Sequence, residues 1–204
     1  MKTNFNHAGW VTAFNEVKFS PQELVKLAVD IKARFIWHPL GFVMCKLSDE
    51  GDRKIRLHIW PNDRSREQKP TWLIHDHLFD LKSWVLAGKI ENTVYGADSS
   101  PPNFRIYQAS YVNDKSILNR TKRTLSIKEE SKSVIASGGV YEVQSGILHR
   151  SISLSNKTSV TVCETINKLD KNPVIAGSLS GEKTYSYTRS AVSKTSIQDL
   201  LNNI

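Results

Sequence analysis

Ile74-His75-Asp76-His77 is the stretch on which the fold and the site of this chain depend. A second stretch far downstream, Gly146-Ile147-Leu148-His149, contains a third histidine that could belong to the same site. Side chains alternate between the two faces of a β-strand, so His75 and His77 should project to one side, about 6 to 7 Å apart. A third imidazole from a neighbouring strand would complete one face of a divalent metal. Such a site keeps positions open for substrate or O₂, which is typical of catalytic metal sites.

Other interpretations of the six histidines stay open. His75 and His77 could be ordinary strand residues, although paired imidazoles are costly in a dry core without partners or a metal. His149 alone would more often be a hydrogen-bonded polar residue than a ligand. His7 and His38 have no spacing partner, so we expect them to be surface or packing residues.

The composition predicts one soluble domain. The chain has 204 residues, 39% hydrophobic and 9% aromatic, which suffices for one buried core and is short for two. Two cysteines, Cys45 and Cys163, are too few for a disulfide framework and fit a reducing compartment. Met1-Lys2-Thr3-Asn4-Phe5 lacks the apolar region of a signal peptide, and no stretch approaches the ~18 apolar residues of a membrane span. We therefore expect a cytoplasmic protein without a membrane partner.

The net charge of +8 does not by itself favour nucleic acid as a partner. Lysines and arginines are scattered, with only short clusters such as Arg120-Thr121-Lys122-Arg123, and no helical basic stripe or binding motif accompanies them. Attraction of a small acidic molecule explains the charge equally well.

Hydrophobic periodicity predicts one helix followed by many strands. Ser20-Pro21-Gln22-Glu23 combines a Ser N-cap, a Pro at the first helical position and a Glu at N3, and apolar spacing continues to Phe35, so we expect about four helical turns. From Gly41 the period changes to two. Strands are expected over 42–47, 54–60, 72–77, 81–95, 104–112, 123–128, 133–136, 140–143, 149–154 and 159–166.

The number and spacing of these strands favour a β-sandwich or barrel. Residues 173–190, rich in Gly, Ser and Thr, predict an irregular strap before a short closing helix over 196–202.

The sequence resembles the cupin superfamily, whose two motifs carry H-x-H, Glu and Gly, then Gly, Pro-x-Gly-x-x-His and Asn. The positions that match are His75, His77, Gly88, Gly138, Gly146 and His149. The positions that depart are Leu81 for Glu, Gln144 for Pro, Ser153 for Asn and Lys69 for an expected Gly. The resemblance implies a mainly β, single-domain jelly-roll barrel over 41–167. A helical segment over 1–40 would pack on it, and a strap with a short helix would follow over 168–204.

Within the cupins, three local sequences resemble those of thiol dioxygenases, cysteine dioxygenase in particular. They are Ile74–His77, Leu86-Ala87-Gly88-Lys89 and Gly146–Arg150. These enzymes lack the cupin Glu and hold iron with three neutral ligands. The resemblance implies His75, His77 and His149 as ligands of Fe(II), with Ni, Zn or Mn as alternatives. It also implies O₂ and a small anionic, amino-acid-like or thiol substrate.

The sequence also departs from cysteine dioxygenase. Thr161, Cys163 and Thr165 stand where that family has Ser-x-His-x-Tyr, so the usual tyrosine and histidine are missing. No cysteine follows the first motif, where Lys82 stands near the position of the vertebrate-type thioether crosslink. The resemblance therefore does not extend to the crosslink or to cysteine as the substrate.

Arg56, His58 and Cys163 are the candidate catalytic residues. On the strand 54–60, Arg56 and His58 share a polar face opposite an apolar one. If that face lines the barrel, Arg56 would clamp a substrate carboxylate bidentately and His58 would relay a proton. The alternative is that the polar face meets solvent. Cys45 and Lys46 compete for the same lining, Asp80 could add a carboxylate to the site, and Arg150 should point away from it.

Three classes of function follow. The first is a mononuclear non-haem iron oxygenase similar to the thiol dioxygenases. The second is a non-redox metal enzyme, namely an isomerase, lyase or cyclase that uses the metal as a Lewis acid. The third is a cupin that binds a small molecule without catalysis. The first is the hypothesis that we carry forward, and the resemblance permits either a monomer or a homodimer.

Overall fold

A computed structural model describes residues 5–16, 18–63 and 65–204, and within them the chain forms three helices and thirteen strands. The helices are α1 (His7–Asn15), α2 (Pro21–Asp30) and α3 (Lys194–Leu201). The strands are β1 (Ile36–Trp37), β2 (Val43–Glu50), β3 (Arg53–Trp60), β4 (Phe79–Ala87), β5 (Lys89–Ala97), β6 (Phe104–Val112), β7 (Lys115–Leu125), β8 (Ile127–Ala136), β9 (Val140–Val143), β10 (Leu148–Ser153), β11 (Ser159–Asn167), β12 (Val174–Gly177) and β13 (Thr184–Thr188). The mainly β prediction, with an N-terminal helix and a short C-terminal helix, is confirmed.

The strands form three antiparallel sheets. The largest has the order β1-β2-β3-β11-β4-β9, and the two smaller ones have the orders β10-β5-β8 and β12-β6-β7-β13. His75 joins the two smaller sheets, because it pairs with His149 of β10 on one side and with Ile175 of β12 on the other. The H-x-H segment therefore lies where two sheets meet.

One hydrophobic core lies between the largest sheet and the three helices. Trp10, Leu24 and Ile197 of the helices belong to one buried cluster with Leu57 of β3 and Val162 of β11. The apolar face of β3 thus packs under the helices. Its polar face, which includes Arg56 and His58, is left for the interior of the barrel.

The first helical segment differs from its prediction in two ways. Helix α2 begins as expected, with a capping box between Ser20 and Glu23, but it ends at Asp30, because Lys32 adopts a positive φ of 58°. Phe35 is buried in the same core from outside the helix. No pattern in the sequence indicated α1, whose N-cap is Asn6.

Other predicted elements also change. Residues 72–77 form no regular strand, and the pairing there is the isolated bridge at His75. The single strand expected over 81–95 is two strands, β4 and β5, separated by Gly88. The segment expected to be an irregular strap contains β12 and β13, which pair with β6 and β7 and extend the third sheet. The division into 1–40, 41–167 and 168–204 stays a prediction.

Two predicted features concern the N-terminus and the membrane. The expected absence of a signal segment involves Met1–Asn4, which lie outside the described residues. Among the described residues, no helix combines the length and the apolar character needed to cross a membrane.

Gly88 should be intolerant of substitution. It has a φ of +77°, and a Cβ built there would lie 3.0 Å from the Ser159 Cα and closer still to the Ser159 side chain. We expect Gly88→Ala to lower the free energy of unfolding by about 2–4 kcal/mol, from backbone strain together with overpacking. Urea unfolding of the wild type and the variant would measure this loss.

Gly51 supplies the matched control for this prediction. It has a φ of +71°, but a Cβ there would meet nothing within 4 Å. Gly51→Ala should therefore cost only the strain of a positive φ, about 1 kcal/mol. Equal losses in the free energy of unfolding of the two variants would show that crowding of the new Cβ against Ser159 adds nothing to the backbone strain.

Candidate metal centre and its cavity

Three histidines converge at the junction of the sheets. His75, His77 and His149 each offer one nitrogen, and these three atoms lie within 4.8 Å of one another. Their ring centroids are 4.7 Å (His75–His77), 4.9 Å (His75–His149) and 5.0 Å (His77–His149) apart. This is the spacing of a set of donors that can face one metal ion.

Backbone hydrogen bonds hold this arrangement in place. The His75 amide donates to the His149 carbonyl at 3.0 Å, and the His149 amide donates back to the His75 carbonyl at 2.8 Å. On the other side, the Asp76 amide donates to the Val174 carbonyl at 3.0 Å, while the Asp76 carboxylate accepts from the Val174 amide at 2.6 Å. The short segment that carries two of the histidines is therefore tied to both smaller sheets.

Two of the histidines have their tautomer set by a partner on Nδ1. His75 Nδ1 lies 2.7 Å from the Leu73 carbonyl oxygen, which can only accept, so His75 carries its proton on Nδ1. His149 Nδ1 lies 2.9 Å from Asn92 Oδ1, which also accepts from the Ser151 hydroxyl at 3.1 Å. Both rings therefore present an unprotonated Nε2, as metal-binding histidines do.

The His149 side chain places its Nε2 nitrogen in the protein interior. His149 is 2% exposed, and its Nε2 is buried without a hydrogen-bond partner among the described residues. A buried polar atom without a partner costs free energy, and a metal ion would remove that cost. The residues therefore fit a metal ion at this point.

Burial keeps the three histidines neutral. It lowers the pKa of all three, and for His77 and His149 the value is well below 6.5. The neighbouring imidazoles lower the pKa of His77 and His149 further. Because only neutral imidazole coordinates a metal, the set is ready for a cation at neutral pH.

The three histidines open onto a cavity of about 450 Å³. All three sheets contribute to its lining. Residues of the largest sheet that line it are Met44, Lys54, Arg56, His58, Trp60, Phe79, Leu81, Tyr141, Cys163 and Asn167; Tyr111, His149 and Ser151 come from the smaller sheets. The polar face of β3 thus lines this internal cavity. Of the two arrangements considered for Arg56 and His58, lining the barrel or facing solvent, the structure has the first.

Arg56 brings a positive charge into this cavity. Its guanidinium lies over the Phe79 ring at 4.7 Å, and its Nε is buried without a hydrogen-bond partner among the described residues. Burial is the main cause that lowers the pKa of Arg56, although an arginine remains charged at neutral pH. An anionic group entering the cavity would compensate this charge.

Cys163 and His58 lie side by side in the wall. Cys163 Sγ is 3.5 Å from His58 Nδ1 and 3.3 Å from the Ser83 hydroxyl. Burial raises the pKa of Cys163 and lowers the pKa of His58 to about 3. The pair is therefore a neutral thiol beside a neutral imidazole, which does not suit a thiolate nucleophile.

His58 should make the stability of the protein depend on pH. Its pKa is about 3 in the folded protein and 6.5 in its ordinary state, so the unfolded chain binds a proton that the folded chain does not. Stability contributed by this group is complete above pH 6.5 and is lost as the pH falls towards 3, by about 1.4 kcal/mol per pH unit. Between about pH 6 and 4, the free energy of unfolding of His58→Gln should fall less steeply than that of the wild type by this amount. Urea unfolding at several pH values tests this, and parallel curves for the two proteins would contradict it.

Several residues weighed for the lining lie elsewhere. Cys45 is buried in the core under the helices, and Lys46 pairs with Asp49 at the surface. Asp80 accepts a hydrogen bond from the Ser145 amide at 2.9 Å and is not part of the histidine cluster. Arg150 forms an ion pair with Glu91 at 2.8 Å.

The structure adds cavity residues that sequence reasoning missed. Tyr141, Arg189 and His38 all line the cavity, whereas His38 was expected at the surface or in packing. His7 is a buried packing residue whose Nε2 lies 2.6 Å from Glu164 Oε1. The alternation along 140–143 could have pointed to Tyr141, but no sequence signal links Arg189 or His38 to the motifs.

Comparisons with known proteins give fold-level likeness only. No family model and no curated protein matches the sequence. The cupin domain of Schizosaccharomyces pombe Cnp3 is 11% identical with a TM-score of 0.36, covering 62% of this chain and 61% of that one. E. coli ycfD is 8% identical with a TM-score of 0.42 and coverages of 83% and 48%. A cupin-like protein of Thermotoga maritima is 9% identical with a TM-score of 0.31 and coverages of 81% and 87%.

These neighbours do not carry an activity over to this chain. The chain spans about 61% of the Cnp3 cupin domain, and all three identities are far below the level at which residues can be equated. The fold is mainly β, with cupin domains among its structural neighbours. The chemistry must be argued from the histidine cluster and its cavity.

Proposed function

We propose that this chain is a mononuclear non-haem iron cupin oxygenase, similar to the thiol dioxygenases, that acts on a small anionic amino-acid-like or thiol substrate. The observation that carries the proposal is the cluster of His75, His77 and His149, in which the buried His149 Nε2 has no hydrogen-bond partner among the described residues. Fe(II) held there would supply open coordination positions for the substrate and O₂.

The surrounding residues have distinct roles in this proposal. Asn92 is a positioning residue, because its Oδ1 accepts from His149 Nδ1 and so directs Nε2 into the cavity. Arg56 binds the anionic group of the substrate, since its guanidinium lines the cavity and can donate two parallel hydrogen bonds to a carboxylate. The Phe79 ring supports the Arg56 guanidinium and stacks at 4.6 Å on His77, so it fixes both groups.

Tyr141 is the hydrogen-bond donor that the proposal assigns in place of the missing family tyrosine. Its hydroxyl lies 3.3 Å from the Ser151 hydroxyl, which in turn donates to Asn92, so one chain of hydrogen bonds runs from the cavity wall to His149. Burial raises the pKa of Tyr141 to about 12, which keeps the phenol protonated at neutral pH. His58 and Cys163, also neutral, shape the wall beside Arg56.

A non-redox metal enzyme is the second candidate. Three neutral nitrogen donors suit Zn²⁺ and Ni²⁺ as well as Fe²⁺, and they suit Mn²⁺ less, since it favours oxygen ligands. Such an enzyme would use the same cavity and Arg56, but it would not consume O₂.

Metal content and O₂ uptake together test the proposal. Protein purified without added metal would be analysed for Fe, Zn, Ni and Mn, then loaded anaerobically with Fe(II). Oxygen consumption would be recorded with a panel of small thiols and amino acids that carry a carboxylate. We expect about one metal ion per chain and O₂ uptake with at least one member of the panel.

Two outcomes would overturn the oxygenase proposal. Fe(II)-loaded protein that takes up no O₂ across the panel favours the non-redox enzyme. Protein that retains none of the four metals favours a cupin that binds a small molecule without catalysis.

A further inference from the structure

We infer that Arg189 forms a second anion subsite, so that the substrate is a small molecule with two anionic groups, one at Arg56 and one at Arg189. This inference rests on the proposed function only for the position of the reacting group beside the histidines. The anion subsite itself is argued from the charges that line the cavity.

Among the described residues that line the cavity, basic side chains face no acidic ones. Lys54, Arg56 and Arg189 line it, and no described aspartate or glutamate does. Lys54 has an acid outside the lining, since its Nζ lies 3.4 Å from Asp49. Two guanidinium groups are thereby left to be compensated from within the cavity.

Arg189 is held in place by neutral partners. Its Nε donates to the Ser116 hydroxyl at 2.8 Å, its Nη2 lies 3.3 Å from His38 Nε2, and its Nη1 lies 3.9 Å from Met44 Sδ. Burial lowers the pKa of His38 well below 6.5, and the Arg189 cation lowers it further, so His38 is neutral. These contacts fix the fork of Arg189 without neutralising its charge.

The two arginines reach the cavity from different sheets. Arg56 lies on β3 of the largest sheet, whereas Arg189 directly follows β13 of the third sheet. Burial is the largest cause that lowers the pKa of Arg56, and the Arg189 cation lowers it further. Arg189 lies 5.1 Å from the ring of Tyr111, which is 59% exposed, whereas His149 is 2% exposed. Arg189 therefore lies nearer the opening than His149 does.

A substrate with one charge would leave one of these cations uncompensated. Bringing a second anionic group to Arg189 replaces lost hydration with charge-assisted hydrogen bonds from a fixed guanidinium. A substrate with two anionic groups is thus favoured over a singly charged one of the same length. Small dicarboxylates are the simplest members of this class.

Calorimetric titration with simple carboxylates tests the second subsite. Malonate, succinate and glutarate would be compared with butyrate, which has the carbon count of succinate and one carboxylate. We expect the tightest dicarboxylate to bind at least about tenfold more tightly than butyrate. In Arg189→Gln this advantage should shrink to about twofold or less, while butyrate affinity changes by less than about threefold.

Two further variants make the titration specific. Arg123→Gln removes the same charge from an exposed position of β7 and should keep the full advantage of the dicarboxylate. If Arg189→Gln loses its thermal unfolding transition, Arg189→Lys replaces it in the test. That variant keeps the charge without the planar fork. Its preference for the dicarboxylate over butyrate should therefore be smaller than that of the wild type but still present.

The outcomes separate this inference from the proposed function. Equal affinity for butyrate and every dicarboxylate, no binding of any of them up to about 10 mM, or an advantage that survives Arg189→Gln would overturn the second subsite. The titrations use metal-free and Zn²⁺-loaded protein. A dicarboxylate advantage that depends on Arg189 in protein that binds no metal would uphold the subsite while the oxygenase fails. Metal binding and O₂ uptake without that advantage would do the reverse.

Discussion

His149→Ala should lower the affinity for Zn²⁺ or Fe²⁺ by at least about 100-fold while the barrel stays folded. The variant removes one of three nitrogen donors that lie within 4.8 Å of one another, and two donors do not complete a metal face. The backbone pairing of residue 149 with His75 does not involve the imidazole, so the junction of the sheets should persist. Competition with a coloured chelator would measure the affinity, and the thermal unfolding transition would report the fold.

Two companion variants make this test decisive. His58→Gln changes another histidine of the same cavity, one that lies outside the cluster, and it should leave the metal affinity unchanged. His77→Ala removes a half-buried histidine of the cluster, so it serves where the buried His149 cannot be truncated without unfolding. Metal retained at full affinity in both ligand variants would show that the ligand assignment is wrong.

Arg56→Met should stabilise the metal-free protein and weaken its binding of anions. Arg56 is a largely buried cation beside Phe79, so an apolar side chain of similar length removes a desolvation cost and keeps the packing. We expect the free energy of unfolding to rise by about 1–3 kcal/mol and the affinity for butyrate to fall at least about tenfold. Urea unfolding and calorimetric titration would measure the two effects.

The opposite signs of these effects distinguish a binding residue from a structural one. Arg123→Met, at an exposed position of β7, should change neither quantity measurably. An Arg56→Met protein that is less stable than the wild type, and that binds butyrate unchanged, would show that Arg56 supports the wall of the cavity and does not bind the substrate.

Local patterns predicted most of the strands and the start of α2, because alternation and capping are read within a few residues. Strands β6 and β9 begin and end where alternation predicts. Predictions failed where distant contacts decide the conformation. Residues 72–77 have strand-like alternation but form only the bridge at His75, and β12 and β13 arise from a polar segment because β6 and β7 offer edges to it.

The residues of the candidate site also fall into those that the sequence indicated and those that only the folded chain brings together. The resemblance to the cupin motifs, carried by His75, His77, Gly88, Gly138, Gly146 and His149, was sufficient to single out three histidines. The residues that surround them were not predictable, since Tyr141, His38 and Arg189 share no local pattern with the motifs and meet them only in the folded chain. The polar face of β3 could have met solvent or an interior, and only the helices packed on its other face decide this.

The sequence by itself determined that the chain is mainly β, because strand periodicity is a local property, and its resemblance to the cupin motifs singled out three histidines. Only the tertiary structure decided what lies around those histidines. It places Asn92 on His149 Nδ1, leaves His149 Nε2 unpaired among the described residues, and brings Arg56 and Arg189 to one cavity from different sheets. The physical reason is that hydrogen-bond satisfaction and charge compensation depend on distances in space, which the order of residues does not specify.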